Sequence, residues 1–226
     1  MPTGSAPSTR DLLHQLERWG RSKAPAALAD LRPGATQTAL DELEQLISFP
    51  LPEAFRALYS WHDGQNWNMG GLFSLGFLSL QGVKSEWKMW RSIEQASPGM
   101  DDLGDFTSTP HHAIQLRYST PGWLGFLTDT AGDTIGLDFT PAPSGVPGQI
   151  IGFGRNAEHK YVLADSLHDF LDEYLQRLLL KQYTLEHYDN HPIPYVMLHD
   201  ELSRPPEVIR NVTDYFPWFG ATAKMP

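Results

Sequence analysis

Four groups of residues have the types and spacing to do chemistry. Asp129, Asp133 and Asp138 fall on one stretch that reads as a β-hairpin, and carboxylates that converge can exchange protons or bind a hard cation. Asp129 and Asp133, however, bracket a glycine-containing turn, where aspartate is favoured for local backbone hydrogen bonding, so the structural reading is the stronger one. Glu186, His187, Asp189 and His191, followed by His199, Asp200 and Glu201, offer His187 and His191 four residues apart, the spacing that puts two imidazoles on one helix face for a metal. Pro192 and Pro194 argue against a helix there and no His-Glu-x-x-His pattern is present, which favours ordinary surface histidines. His111 and His112 stand in a long loop without phosphate-binding glycines beside them. Ser166 sits between Asp165 and His168, but no Gly-x-Ser-x-Gly elbow surrounds it and it reads as a helix cap. No Walker loop or dinucleotide fingerprint occurs. The residues predict a protein that is not an enzyme and needs no cofactor and no metal.

The elements that position these residues come in a definite order. Asp11 to Trp19 predicts a helix with Leu12, Leu13, Leu16 and Trp19 inward, and a short helix is expected from Pro25 to Leu31. Thr38 with Asp41 three residues later predicts the start of a third helix, with Leu40, Leu43 and Ile47 on one face. Pro50 and Pro52 forbid its continuation, while Pro52 suits the first turn of a fourth helix carrying Phe55, Leu58 and Tyr59. That helix closes at His62-Asp63-Gly64, with glycine supplying the left-handed turn. Gly70 to Leu80 reads as a first strand or strand pair. From Gly82 a helix points Val83, Trp87, Trp90 and Ile93 inward and leaves Lys84, Glu86, Lys88 and Arg91 to solvent. A long loop over 96–120 is expected to carry a strand near Ala113 to Tyr118.

Two hairpins follow, Trp123–Thr128 with Thr134–Phe139, and Gln149–Phe153 with Lys160–Leu163. Ser166 then opens an amphipathic helix with Asp169 at the box position and Leu167, Phe170, Leu171, Tyr174, Leu175 and Leu178 as its apolar stripe. Helices, then antiparallel strands, then a closing helix give an α+β fold with a central antiparallel sheet. The domain reading is a helical extension over 1–30, a main domain over 31–185 and an appendage over 186–226.

The 226 residues are 41% hydrophobic and 19% charged, a globular composition able to fill one core. The absence of cysteine excludes disulfides, thiolate metal sites and a thiol nucleophile. A net charge of −10 without a compact Lys/Arg patch argues against nucleic acid and anionic membrane, and is compatible with a basic protein partner. The first sixteen residues lack a basic start followed by an apolar run, and no stretch approaches the ~18 apolar residues of a membrane span, so a cytoplasmic location is expected.

Several motifs recur in one order: Glu44, Leu51-Pro52, Leu58-Tyr59, His62-Asp63-Gly64-Gln65, Gly71-Leu72-Phe73, Phe77-Leu78-Ser79-Leu80, Trp123, Gly132-Asp133, Leu137-Asp138 with Pro141, Gly148-Gln149-Ile150 and the helix at Ser166. Over roughly residues 30 to 185 this pattern resembles the SUKH superfamily, the Smi/Knr-type proteins that include fungal cell-wall-synthesis regulators and bacterial toxin-immunity proteins. The resemblance implies that Leu51, Pro52, Tyr59, Asp63, Gly64, Trp123, Asp133, Asp138 and Ser166 are scaffold positions. It also implies a binding protein. The first expectation is an immunity protein that neutralises a cognate protein toxin by contact; the alternative is a regulatory or scaffolding protein of the cell-wall type, with a metal-dependent hydrolase third. Trp61, Trp87, Trp90 and Trp123 are expected in the core. Trp67, Asp101, Asp102 and Trp218 are the candidate contact residues, as aromatic anchors or acids facing a basic partner.

Overall fold

The computed structural model describes residues 6–189, 191–199 and 209–220, with the side chains of 102 and 103 outside that description. The chain enters on α1 (Thr9–Lys23), where the Ser8 hydroxyl accepts from the Asp11 backbone and the Asp11 carboxylate accepts from the Ser8 N–H. Leu12, Leu13, Leu16 and Trp19 are buried along one face, as their spacing requires. After the short α2 (Pro25–Ala29), Thr36 caps α3 (Gln37–Ile47), accepting from the Ala39 N–H at 3.2 Å. Thr36 rather than Thr38 takes this role because its backbone is extended (ψ 154°), as a cap must be, and Thr38 already lies in the first turn.

Asp41, freed from capping, joins Glu44 in holding Arg56, at 2.9 and 2.8 Å. Glu44 also accepts from the Leu51 N–H at 2.7 Å. These bonds fix the proline corner between α3 and α4 (Glu53–Trp61). Asp63 then accepts from the Leu80 N–H at 2.6 Å, so the turn after α4 helps to start α5 (Leu80–Ala96) together with its cap Ser79. Gly64 turns the chain with φ +75°. Glu86 and Arg91, expected in solvent, are instead largely enclosed: Glu86 accepts from the Thr134 hydroxyl over the gap left by Gly125, and Arg91 holds Glu94 and Ser119.

The sheet contains β1 (Gly76–Phe77), β2 (Thr107–Thr109), β3 (Trp123–Thr128), β4 (Asp133–Asp138), β5 (Gln149–Gly154) and β6 (His159–Ala164). Their spatial order is β1-β3-β4-β5-β6-β2, antiparallel except for β2, which runs parallel to β6. The sheet is therefore mixed. Between β1 at one edge and β2 at the other lies α5, a crossover that leaves the direction of β2 unconstrained. The strand expected near Ala113 to Tyr118 does not form; the Ser108 hydroxyl captures the Ala113 and Ile114 N–H groups that a ladder would need.

Alternation along the strands sorts two cores. Leu124, Ile150 and Leu163 join the main cluster with α1, α3, α4 and α6 (Leu167–Leu179), while their neighbours Trp123, Ile151 and Val162 build a second cluster with Trp90, Ala113, Ile114 and Phe153. The stripe of α6 is buried in full, and Ser166 accepts from the Asp169 N–H at 3.1 Å. Beyond it, β7 (Tyr183–Glu186) and β8 (Tyr195–Leu198) pair as a separate two-stranded ribbon. Val196, Leu198, Val212, Phe216 and Phe219 belong to the same main cluster as Leu12, Leu13 and Leu16. Among the described residues no helix is long and apolar enough to cross a membrane.

Candidate interaction surface

The carboxylates of the β3–β4 hairpin are engaged with the backbone around them. Asp129 accepts from the Ala131 and Asp133 N–H groups at 2.7 and 2.9 Å and so holds the turn. Asp133 accepts from the Asn156 N–H at 2.7 Å and its side-chain amide at 3.3 Å, joining this turn to the β5–β6 turn. Burial raises the Asp133 carboxyl above its usual range, against those bonds. Asp138 ends β4 wholly buried, with one oxygen on the Thr140 N–H and the other on the Gln149 amide, each at 3.0 Å. Gln149 also donates to the Ala113 carbonyl, so this pair anchors two loops to the sheet.

Burial pushes the Asp138 carboxyl up to about 6, against its hydrogen bonds from Gln149 and Thr140. A raised folded-state value means the folded chain holds this proton more tightly than the unfolded chain does. The contribution to stability is therefore fully present below 3.8 and lost as pH rises through about 6. Asp138→Asn keeps an acceptor for Thr140 and has no charge to lose. Between pH 4 and 7 it is expected to lose about 2 kcal/mol less stability than the parent in urea unfolding. An equal loss in both proteins would show that the carboxyl is not enclosed in this way.

The other constellations also resolve into local structure. Ser166 shares a hydrogen bond with Asp169 at 2.6 Å and caps α6. The His111 and His112 rings lie 3.8 Å apart on the loop surface. His191 contacts the Tyr195 hydroxyl at 3.2 Å, whereas Asp200 and Glu201 lie outside the described residues. Among the described residues no group of three His, Asp or Glu side chains could hold a metal ion.

The scaffold positions are placed as follows. Leu51, Tyr59 and Trp123 are buried, and the Tyr59 hydroxyl donates to the Leu78 carbonyl at 2.9 Å. The Pro52 carbonyl accepts from the Phe55 and Arg56 N–H groups and opens α4. Asp63 and Gly64 form the turn that meets the start of α5. Trp90 is buried in the second cluster, and Trp61 and Trp87 pack half-buried on the main one.

The candidate contact residues stand on three separate segments, Asp101 and Asp102 being adjacent, and no described contact links the three. Asp101 is spent within its own loop, accepting from the Tyr118 N–H at 2.7 Å and facing Arg117 at 3.8 Å; the Asp102 side chain lies outside the description. Trp218 is half-buried with φ +70° and borders a cavity of about 370 Å³ with Val162, Asp165, Asp169 and Glu173.

Trp67 is the most developed of them. Its loop is pinned: the Asp30 carboxylate accepts from the Trp67 N–H at 3.1 Å, the Asp30 carbonyl from the Asn66 amide at 2.7 Å, and the Gln65 amide donates to the Trp67 carbonyl at 2.6 Å. The ring, 44% exposed, lies 5.6 Å from His191; His191 lies 5.1 Å from Tyr195, and Tyr195 lies 5.0 Å from the 54% exposed Tyr188. A rigid loop and the tail ribbon thus present one aromatic surface. The sequence singles out Trp67, and His191 only as an ordinary surface histidine, and misses Tyr188 and Tyr195, because the pairing of Gly71 with Tyr195 is what brings the ribbon beside the loop. It missed Lys160 as well, although that residue is two positions before Val162 and so shares its inward face.

The family described as SMI1 / KNR4 family (SUKH-1) matches residues 34–173, more than half of the chain. The chain is 32% identical to the cell wall biosynthesis/cell cycle regulator smi1 of Schizosaccharomyces pombe, over 75% of this chain and 36% of that protein. It is 31% identical to a glucan synthesis regulatory protein of Neurospora crassa, over 70% of this chain and 36% of that protein. It is 28% identical to the cell wall assembly regulator SMI1 of Saccharomyces cerevisiae, over 69% of this chain and 37% of that protein. The chain therefore spans little more than a third of the length of these relatives.

Proposed function

The chain belongs to the SMI1 / KNR4 family (SUKH-1), and from that membership we propose that it is a regulatory, non-enzymatic module that acts by docking other proteins, in the manner of a cell-wall-synthesis regulator. The observation that carries this reading is the naming of its relatives as regulators of cell wall and glucan synthesis. These names favour it over toxin immunity. The direct test places this chain in the Saccharomyces cerevisiae regulator, in exchange for the region it matches, in cells that lack the native protein. Restored growth under cell-wall stress is the expected result. A chimaera that is folded and abundant yet restores nothing sinks the proposal.

The docking surface proposed within this reading is the aromatic patch around Trp67. Large, partly exposed aromatic rings on a pinned loop bind with little ordering cost. Trp67→Ala is expected to weaken partner binding at least tenfold, about 1.4 kcal/mol, while thermal stability stays within about 0.5 kcal/mol of the parent. Affinity measured with a partner cross-linked to the working chimaera decides the matter; unchanged binding by Trp67→Ala and Tyr188→Ala moves the surface elsewhere.

A further inference from the structure

The aromatic surface at Trp67 has charge of one sign around it. It is built from two stretches, residues 65–75 and the ribbon over 183–198, and neither contains a lysine or an arginine. With histidine neutral, Glu186 and Asp189 are the only formal charges in them. Glu186 pairs with Tyr195 across the ribbon, and residues directly opposite in an antiparallel pair carry their side chains on one face. The Glu186 carboxylate therefore stands on the face that holds the aromatic row. Asp189 follows the exposed Tyr188 in the turn and is itself exposed.

Neither carboxylate is engaged inside the fold. Asp30, Asp63, Asp133 and Asp138 each hold a backbone N–H, and Asp41 and Glu44 hold Arg56. The side chains of Glu186 and Asp189 take part in no described hydrogen bond or ion pair, and no described bond brings a lysine or arginine to either stretch. The backbone beneath them is fixed. The Gly71 N–H donates to the Pro194 carbonyl at 2.9 Å, and the Val196 N–H to the Gly71 carbonyl at 3.2 Å. Rings and acids are thus held in place before any partner arrives.

Exposed ring faces and unpaired carboxylates select the same kind of group. The face of an indole or phenol is the negative end of its quadrupole, and a guanidinium stacks on it while its N–H fork reaches a carboxylate. A neutral segment would cover the rings and leave both acids unmatched; an acidic segment would be repelled. We propose that the partner docks through a basic segment whose arginine side chains stack on Trp67 and Tyr188, their charge met by Glu186 and Asp189. This assignment rests on the Trp67 patch being the docking surface and specifies what the patch takes.

The probes are two fluorescent peptides with one glycine-serine frame, carrying either arginines or the neutral isostere citrulline, and their binding to the full chain is followed by fluorescence anisotropy. The arginine peptide is expected to bind about tenfold more tightly than the citrulline peptide, and to weaken as salt is raised. Glu186→Gln combined with Asp189→Asn should remove most of that preference. Asp105→Asn combined with Glu158→Gln, the same change of net charge at exposed acids outside the patch, should leave it within about twofold. Trp67→Leu and Tyr188→Leu keep an apolar side chain without a ring, and each should lower arginine-peptide affinity about threefold with thermal unfolding unchanged. Equal binding of the two peptides, no binding of either, or equal losses in the two charge-neutralised proteins overturns the proposal. So does tighter binding of an uncharged proline-rich peptide, or self-association of the parent that Trp67→Leu abolishes, since either gives the surface another occupant. The docking reading is judged separately. Partner binding that is lost in Trp67→Ala but kept when Glu186 and Asp189 are neutralised retains the surface and discards the arginine, whereas a partner indifferent to Trp67→Ala discards the surface itself.

Discussion

Gly64→Val is expected to lower stability by about 3 kcal/mol, measured by urea unfolding at neutral pH. Two independent effects converge on this position. The backbone has φ +75°, where a residue with a Cβ pays about 1–2 kcal/mol and a β-branched one pays more. A Cβ there would also stand 2.4 Å from the Ser79 N, 2.7 Å from the Leu78 carbonyl carbon and 2.8 Å from the Phe77 oxygen. All three are backbone atoms on the run from β1 into α5, which Asp63 and the cap at Ser79 hold at its helical end, so none can swing aside as a side-chain tip would. Gly99→Ala serves as the control: that glycine has nothing within 4 Å of an added Cβ, and the change should stay within about 0.5 kcal/mol. If Gly64→Val matches the control, the turn after α4 does not pack against α5.

The turn at Asp63-Gly64 was legible because its chemistry is local: a glycine for the left-handed step and an acid for a nearby N–H. The same holds for α6, whose cap at Ser166 and six-residue stripe need only helical periodicity to be read. The paired strands of both hairpins came within a residue or two of their observed bounds, because alternation and turn residues carry the signal. What escaped depends on partners distant in sequence. Thr107–Thr109 has no apolar alternation and becomes a strand only because β6 offers an edge. Glu86 reads as a solvent-facing residue on its helix, and only the missing side chain at Gly125 admits it to the sheet. The aromatic surface at Trp67 is assembled from residues more than a hundred positions apart, so no single stretch announces it.

Phe216→Ala is expected to cost about 3–5 kcal/mol, although the residue lies ten positions from the last one in the sequence. The segment around it has no helical or alternating period, which hid its role. Its capping box, in which Asn211 accepts from Thr213 and the Asp214 carboxylate accepts from the Asn211 N–H, folds residues 212–215 into a tight turn. That turn rests on the small residue Gly152 of β5, where an added Cβ would lie 2.4 Å from the Thr213 methyl. Phe216 then reaches into the main cluster with its ring 4.9 Å from Phe170 and 5.5 Å from Phe219; Phe219 is also 5.3 Å from Phe170. Since Phe170 stands at the centre of the α6 stripe and also meets Phe126 of β3, removing Phe216 opens a cavity between helix and sheet. Thermal and urea unfolding should show one transition shifted as a whole, with Phe170→Ala costing a similar amount. The two losses should not add, because the rings share one contact. A Phe216→Ala variant as stable as the parent would mean that the tail leaves the core without consequence, and that helix, sheet and α1 hold together without it.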